Sequence, residues 1–96
     1  MTPLVRVELP AALRALDPAA PARVEVRGST VGEALQALSA AFPALGPRLL
    51  DRDGRPQRYV RFFLGNEDVR HLGGLDAPLR DGAVLLVVPA IAGGCP

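Results

Sequence analysis

Val5, Val7 and Leu9 alternate with Arg6 and Glu8. That period of two predicts a strand over Leu4–Leu9 with one buried face. Pro10 ends it, and residues 11–21, which carry Pro18 and Pro21, read as a broad connection with a short helical turn at Ala11–Leu16. Val24 and Val26 alternate with Glu25 and Arg27, giving a second strand. The period then changes. Val31, Ala34, Leu35, Leu38 and Phe42 recur at spacings of three to four, the mark of an amphipathic helix with one core face. Thr30 followed by Glu33 fits a capping box at its start, and Pro43 ends it.

Leu45–Leu50 is either irregular or one more helical turn, and Asp51-Arg52-Asp53-Gly54 is a turn. Tyr59–Leu64 is rich in β-formers, Gly65-Asn66 is a tight hairpin signal, and Val69–Leu72 is expected to return as a short strand. Asp81-Gly82 marks another turn before a last strand, Ala83–Pro89. The run Val84-Leu85-Leu86-Val87-Val88 barely alternates, which predicts a central strand covered on at least one face. The expected core joins Val31, Leu35 and Leu38 to the whole of Val84–Val88. Ala90–Pro96 is a tail of small residues, expected to be mobile. The order of strand, strand, helix and further strands predicts an α+β domain, a mixed sheet packed on one main helix. Residues 1–90 form that domain and 91–96 the tail.

Composition narrows the function. Ninety-six residues hold one modest core. A net charge of +1 without a basic stripe gives no footprint for nucleic acid. All eleven basic side chains are arginines, so the chain offers no ε-amine through which it could be polymerised. Arg6, Glu8, Pro10 and Arg14 interrupt any signal-peptide core. The longest apolar run, Ala83–Ala92, falls well short of the ~18 residues of a membrane span and contains Pro89. The expectation is a soluble cytoplasmic protein.

Most candidate chemistry dissolves on inspection. His71 is the single histidine, and nothing places a nucleophile beside it. Asp51-x-Asp53-Gly54 resembles the start of a calcium loop, but its twelfth position is Phe62 where a glutamate is needed. Gly73-Gly74 lacks the Lys-Ser/Thr of a phosphate loop, and Glu67-Asp68 reads as a solvated pair after a hairpin. The single cysteine, Cys95, excludes an internal disulfide. The end of the chain stands apart. Pro89-Ala90-Ile91-Ala92-Gly93-Gly94 runs directly out of an apolar strand, and its two glycines carry no Cβ atoms. Such a main chain can thread a narrow channel in a partner.

Three stretches carry a family resemblance: Arg58–Arg70 (RYVRFFLGNEDVR), Leu75–Gly82 (LDAPLRDG) and Val88–Gly94 (VPAIAGG). Together with the N-terminal hairpin and the Thr30–Phe42 helix, they resemble the MoaD/ThiS family of sulfur carriers over almost the whole chain. The resemblance implies a ubiquitin-like β-grasp fold. It also implies that the Gly94 carboxyl is the working group, with Ile91, Ala92 and Gly93 as the threading segment. In the family that carboxylate attacks the α-phosphate of ATP on an adenylating enzyme, and sulfur then displaces AMP to leave a thiocarboxylate. ATP-Mg and zinc belong to partner enzymes, so no cofactor or metal is expected on this chain, and no enzymatic activity.

Three departures are visible. Gly65-Asn66 stands where the family usually has Asn-Gly, and Asp81-Gly82-Ala83 where it often has Asp-Gly-Asp. Cys95-Pro96 follows the Gly-Gly where members normally stop. Resembling members with extra residues are trimmed by a JAMM-type zinc metallopeptidase, which implies cleavage between Gly94 and Cys95. Cys95 is then a leaving residue, an inert end or a thiol used directly; no basic neighbour activates it. The expected partners are the adenylating enzyme, the peptidase and a sulfur-accepting biosynthetic enzyme of the cysteine, siderophore, thiamine or molybdopterin type. Docking is expected on the open sheet face, with an anchor among Tyr59, Phe62 and Phe63. The alternative is a ubiquitin-like modifier joined to targets through Gly94.

Overall fold

The computed structural model describes residues 2–58 and 60–89. Five strands form one sheet: β1 (Leu4–Glu8), β2 (Arg23–Arg27), β3 (Val60–Leu64), β4 (Glu67–Asp68) and β5 (Val84–Pro89), in the order β2-β1-β5-β3-β4. Only β1 and β5 are parallel, with Val7 opposite Leu85; the other neighbours are antiparallel. The last strand in sequence is therefore central, as its apolar run predicts.

One main helix, α2 (Val31–Ala41), crosses a single face of the sheet, with the short α1 (Ala11–Arg14) and α3 (Gly46–Leu49) around it. Val31, Ala34, Leu35 and Leu38 are fully buried, and Phe42 packs against the same cluster. The helix starts where the sequence places it. Thr30 Oγ1 accepts from the Glu33 N–H at 3.2 Å, and Glu33 Oε1 accepts in return at 2.8 Å. That return bond comes from the N–H of Ser29 rather than Thr30. Gly28 brings β2 against the helix start, where an added Cβ would sit 2.6 Å from the Ala34 backbone nitrogen.

Two expectations are corrected. Val84–Val88 does not lie wholly in the core. Leu85 and Val87 are buried, but Val84 and Leu86 are exposed on the opposite face, because strand geometry sends successive side chains to opposite sides. Val69–Leu72 is not a strand either. The returning strand is Glu67–Asp68, and Val69–His71 winds into a 3-10 turn. Asp68 causes the change, since its carboxylate accepts the Arg70 N–H at 2.9 Å and caps the turn.

Candidate functional site

The two faces of the sheet divide the labour. Facing α2, Val5, Val7, Val24, Val26, Phe62, Leu85 and Val87 form the core. On the other face, register places Leu86 opposite Phe63, Val88 opposite Arg61 and Val84 opposite Arg6. Among the described residues no helix covers this side. Val84 and Leu86 are 38% and 37% exposed, and Phe63 and Val88 are half-buried beside them. Charged residues rim the patch: Arg6, Glu8, Arg23, Glu25 and Arg61. An apolar centre inside a charged rim is the composition of a protein-docking surface.

β5 carries this patch and delivers the segment beyond Pro89. Ile91, Ala92, Gly93, Gly94 and Cys95 lie outside the described residues, as does Tyr59. Of the three aromatic anchors considered, Phe62 is excluded, because it is 2% exposed in the core. Phe63 lies on the open face. Val84 and Leu86 are the patch residues that sequence reading assigned to the core. The signal available was parity: once Leu85 and Val87 face the helix, their neighbours in the strand cannot.

Asp68 and Asp51 hold local structure, and His71 lies at the surface. Asp68 is a buried carboxylate held by Arg70, whose Nε and guanidinium Nη2 donate at 3.1 and 2.9 Å. The Arg70 side-chain hydrogen bonds come first, then its backbone N–H, and they hold the Asp68 carboxyl below the usual range despite burial. His71 lies at the surface, 3.8 Å from Glu67. Asp51 Oδ1 accepts the N–H groups of Asp53 and Arg55, both at 2.9 Å, which makes residues 51–55 a side-chain-stapled turn. Among the described residues no group of three His, Cys, Asp or Glu side chains is placed to hold a metal. No helix among them is long and apolar enough to cross a membrane.

A β2-β1-β5-β3-β4 mixed sheet over one long helix defines a ubiquitin-like β-grasp domain. A family model described as ThiS family matches residues 7–94, and the chain belongs to that family. The sulfur carrier protein CysO of Mycobacterium tuberculosis is 36% identical over 73 residues, covering 74% of this chain and 78% of CysO. Small archaeal modifier protein 3 of Haloferax volcanii is 36% identical over 66 residues, 69% of this chain and 71% of that protein. The crystal structure of the Amycolatopsis orientalis BexX/CysO complex contains a chain with TM-score 0.82 and 33% identity, covering 94% of this chain and 99% of that one.

Proposed function

We propose that the chain is a sulfur carrier that works through the C-terminal carboxyl of Gly94. The observation that carries the reading is the Val88-Pro-Ala-Ile-Ala-Gly-Gly94 ending on the central strand of a ThiS-family domain. The likeness to a protein named as a sulfur carrier supports it. In the sequence the Gly94 carboxyl is tied up in an amide to Cys95. Hydrolysis of that bond by a zinc metallopeptidase frees the carboxylate. The carboxylate attacks the α-phosphate of ATP on an adenylating enzyme and releases pyrophosphate. A sulfide-level donor then displaces AMP, leaving a thiocarboxylate.

The thiocarboxylate is the cargo, handed to a biosynthetic enzyme in the cytoplasm. The protein supplies a carboxyl and a docking face, while its partners supply ATP-Mg, zinc and catalysis. Residues 1–90 act as the handle and 91–96 as the working tail. The open face around Leu86 and Phe63 fits the adenylating enzyme. That a crystal structure of a BexX/CysO complex exists supports such carriers meeting partner proteins.

The test is intact mass. Protein ending at Gly94, incubated with the adenylating enzyme, ATP and a sulfur donor, should gain one oxygen-to-sulfur exchange, and protein ending at Pro96 should not. Equal thiolation of both would overturn the role given to the tail. The likeness to an archaeal modifier favours a second reading, in which Gly94 is conjugated to amines on target proteins. Recovery of Gly94 in isopeptide linkage from native cells would establish it.

A further inference from the structure

A second surface lies apart from the open face. β4 covers β3 only at Phe63 and Leu64. Along Val60–Phe62 the edge away from β5 meets no strand among the described residues. The Val60 N–H donates to the Gln57 carbonyl at 3.3 Å on that side. Strand alternation then points the Phe62 N–H to the same edge. A cleft of about 420 Å³ opens there, between the 55–58 loop and the 3-10 turn that follows β4. Its apolar lining comes from Val60, Phe62, Val69 and Leu75.

The charge of the cleft is lopsided. Arg55, Arg58, Arg61 and Arg70 line it, against the single carboxylate of Asp68. Asp68 is already bound to Arg70. Arg55, Arg58 and Arg61 are exposed, and none enters an ion pair among the described residues. The nearby Asp51 directs one carboxylate oxygen onto backbone N–H groups. Arg61 turns its side chain to the open face, so Arg55 and Arg58 are the uncompensated positive charge at the cleft.

We infer that this cleft binds an extended acidic segment of a partner protein, which lies along the β3 edge beside Val60 and Phe62, seats an apolar side chain on Leu75, and sets its carboxylates against Arg55 and Arg58. Added strands obtain affinity from main-chain hydrogen bonds and specificity from alternate side chains. Here the alternation the cleft demands is apolar inward and acidic outward. A nucleic acid fits less well, because among the described residues the apolar lining is mostly aliphatic and Phe62 is buried. The inference does not rest on the sulfur-carrier reading, and its test leaves the tail untouched.

The probe is a capped heptapeptide alternating glutamate and valine, titrated into the isotope-labelled chain and followed by amide NMR. Binding should shift the amides of Phe62, Val69 and Arg70 and slow hydrogen exchange at Phe62. The exposed pair Arg55→Glu/Arg58→Glu should weaken binding about tenfold or more, Arg55→Lys/Arg58→Lys by no more than about threefold. Arg80→Glu, which changes net charge away from the cleft, should leave affinity within about twofold. Unchanged thermal unfolding of each variant shows that the fold is kept. Three results would each overturn the inference. These are equal binding of a lysine-for-glutamate peptide, shifts confined to Phe63 and Leu86, or the same affinity for polyglutamate or tripolyphosphate without protection at Phe62.

Discussion

Phe63 and Leu86 stand opposite one another on the uncovered side of the sheet, while Phe62, one residue earlier, is held in the core. The pair is the centre of the face assigned to partner docking. Leu86→Arg is expected to slow adenylation of the Gly94-ended chain about tenfold or more, since charge at the centre of an apolar contact is costly. Stability should fall by about 1 kcal/mol or less, as for an exposed site. Phe62→Ala should do the reverse, losing about 3–5 kcal/mol in denaturant unfolding. Activation by Leu86→Arg at the unaltered rate would move the docking surface elsewhere.

The Gly94-Cys95 bond supplies the second expectation. A channel that accepts two glycines in extended form has little room for a Cβ, so Gly94→Ala should cut peptidase processing sharply. Cys95→Ser preserves size and amide and should be processed nearly as fast. Mass analysis of the released Cys-Pro fragment, with and without a zinc chelator, measures both. Native protein isolated with Pro96 attached while sulfur transfer proceeds would contradict the scheme.

Leu35 is fully buried on the α2 face. Leu35→Ala should cost about 2–5 kcal/mol, the range for a buried leucine cavity. Chemical denaturation provides the number, and a loss below about 0.5 kcal/mol would mean that the side chain is not packed.

Gly28 offers a sharper steric test. Its backbone needs no positive φ, but a Cβ there would meet the Ala34 nitrogen at 2.6 Å and the Glu33 carbonyl carbon at 3.1 Å. Both are main-chain atoms of the first helical turn and cannot swing aside. Gly28→Ala should therefore destabilise by about 1–3 kcal/mol, the usual range for overpacking. Gly54→Ala, where nothing lies within 4 Å, should cost less and only through its positive φ of 80°. Thermal melts of the two variants give the comparison.

Asp68 sets part of the acid response. Its folded carboxyl lies below the usual value because Arg70 donates to it, so the unfolded chain binds the proton more readily. That contribution is complete above the unfolded pKa of about 3.9 and disappears as pH falls through the folded value. Asp68→Asn should cost about 1–2 kcal/mol at neutral pH. It should also flatten the decline in stability below about pH 4. A variant with an unchanged acid limb would exclude the Arg70 contact as its origin.

Much of the architecture was legible because local pattern and global fold agree. Period-two alternation marked β1 and β2, the Thr30–Glu33 box marked the helix start, and the unbroken apolar run marked β5 as central. That same run concealed the docking face. An apolar outer surface looks in sequence like a strand buried on both sides, and only register separates Leu86 from Leu85. The aromatic anchor was unresolved for the same reason, since Phe62 and Phe63 are adjacent and chemically alike. The turn at Val69–His71 was hidden because Asp68 acts through a side-chain bond to the backbone rather than through hydrophobic spacing. The arginine cleft needed three separate segments to meet.

The parallel pairing of β1 with β5 has a mechanical consequence. Tension applied between the start of β1 and the end of β5 pulls these neighbours past each other along their length. The ladder hydrogen bonds bear such a load together, in shear, whereas an antiparallel pair pulled from its open end yields one bond at a time. A pull on the end of β5 against the start of β1 is therefore resisted by the whole β1–β5 ladder at once.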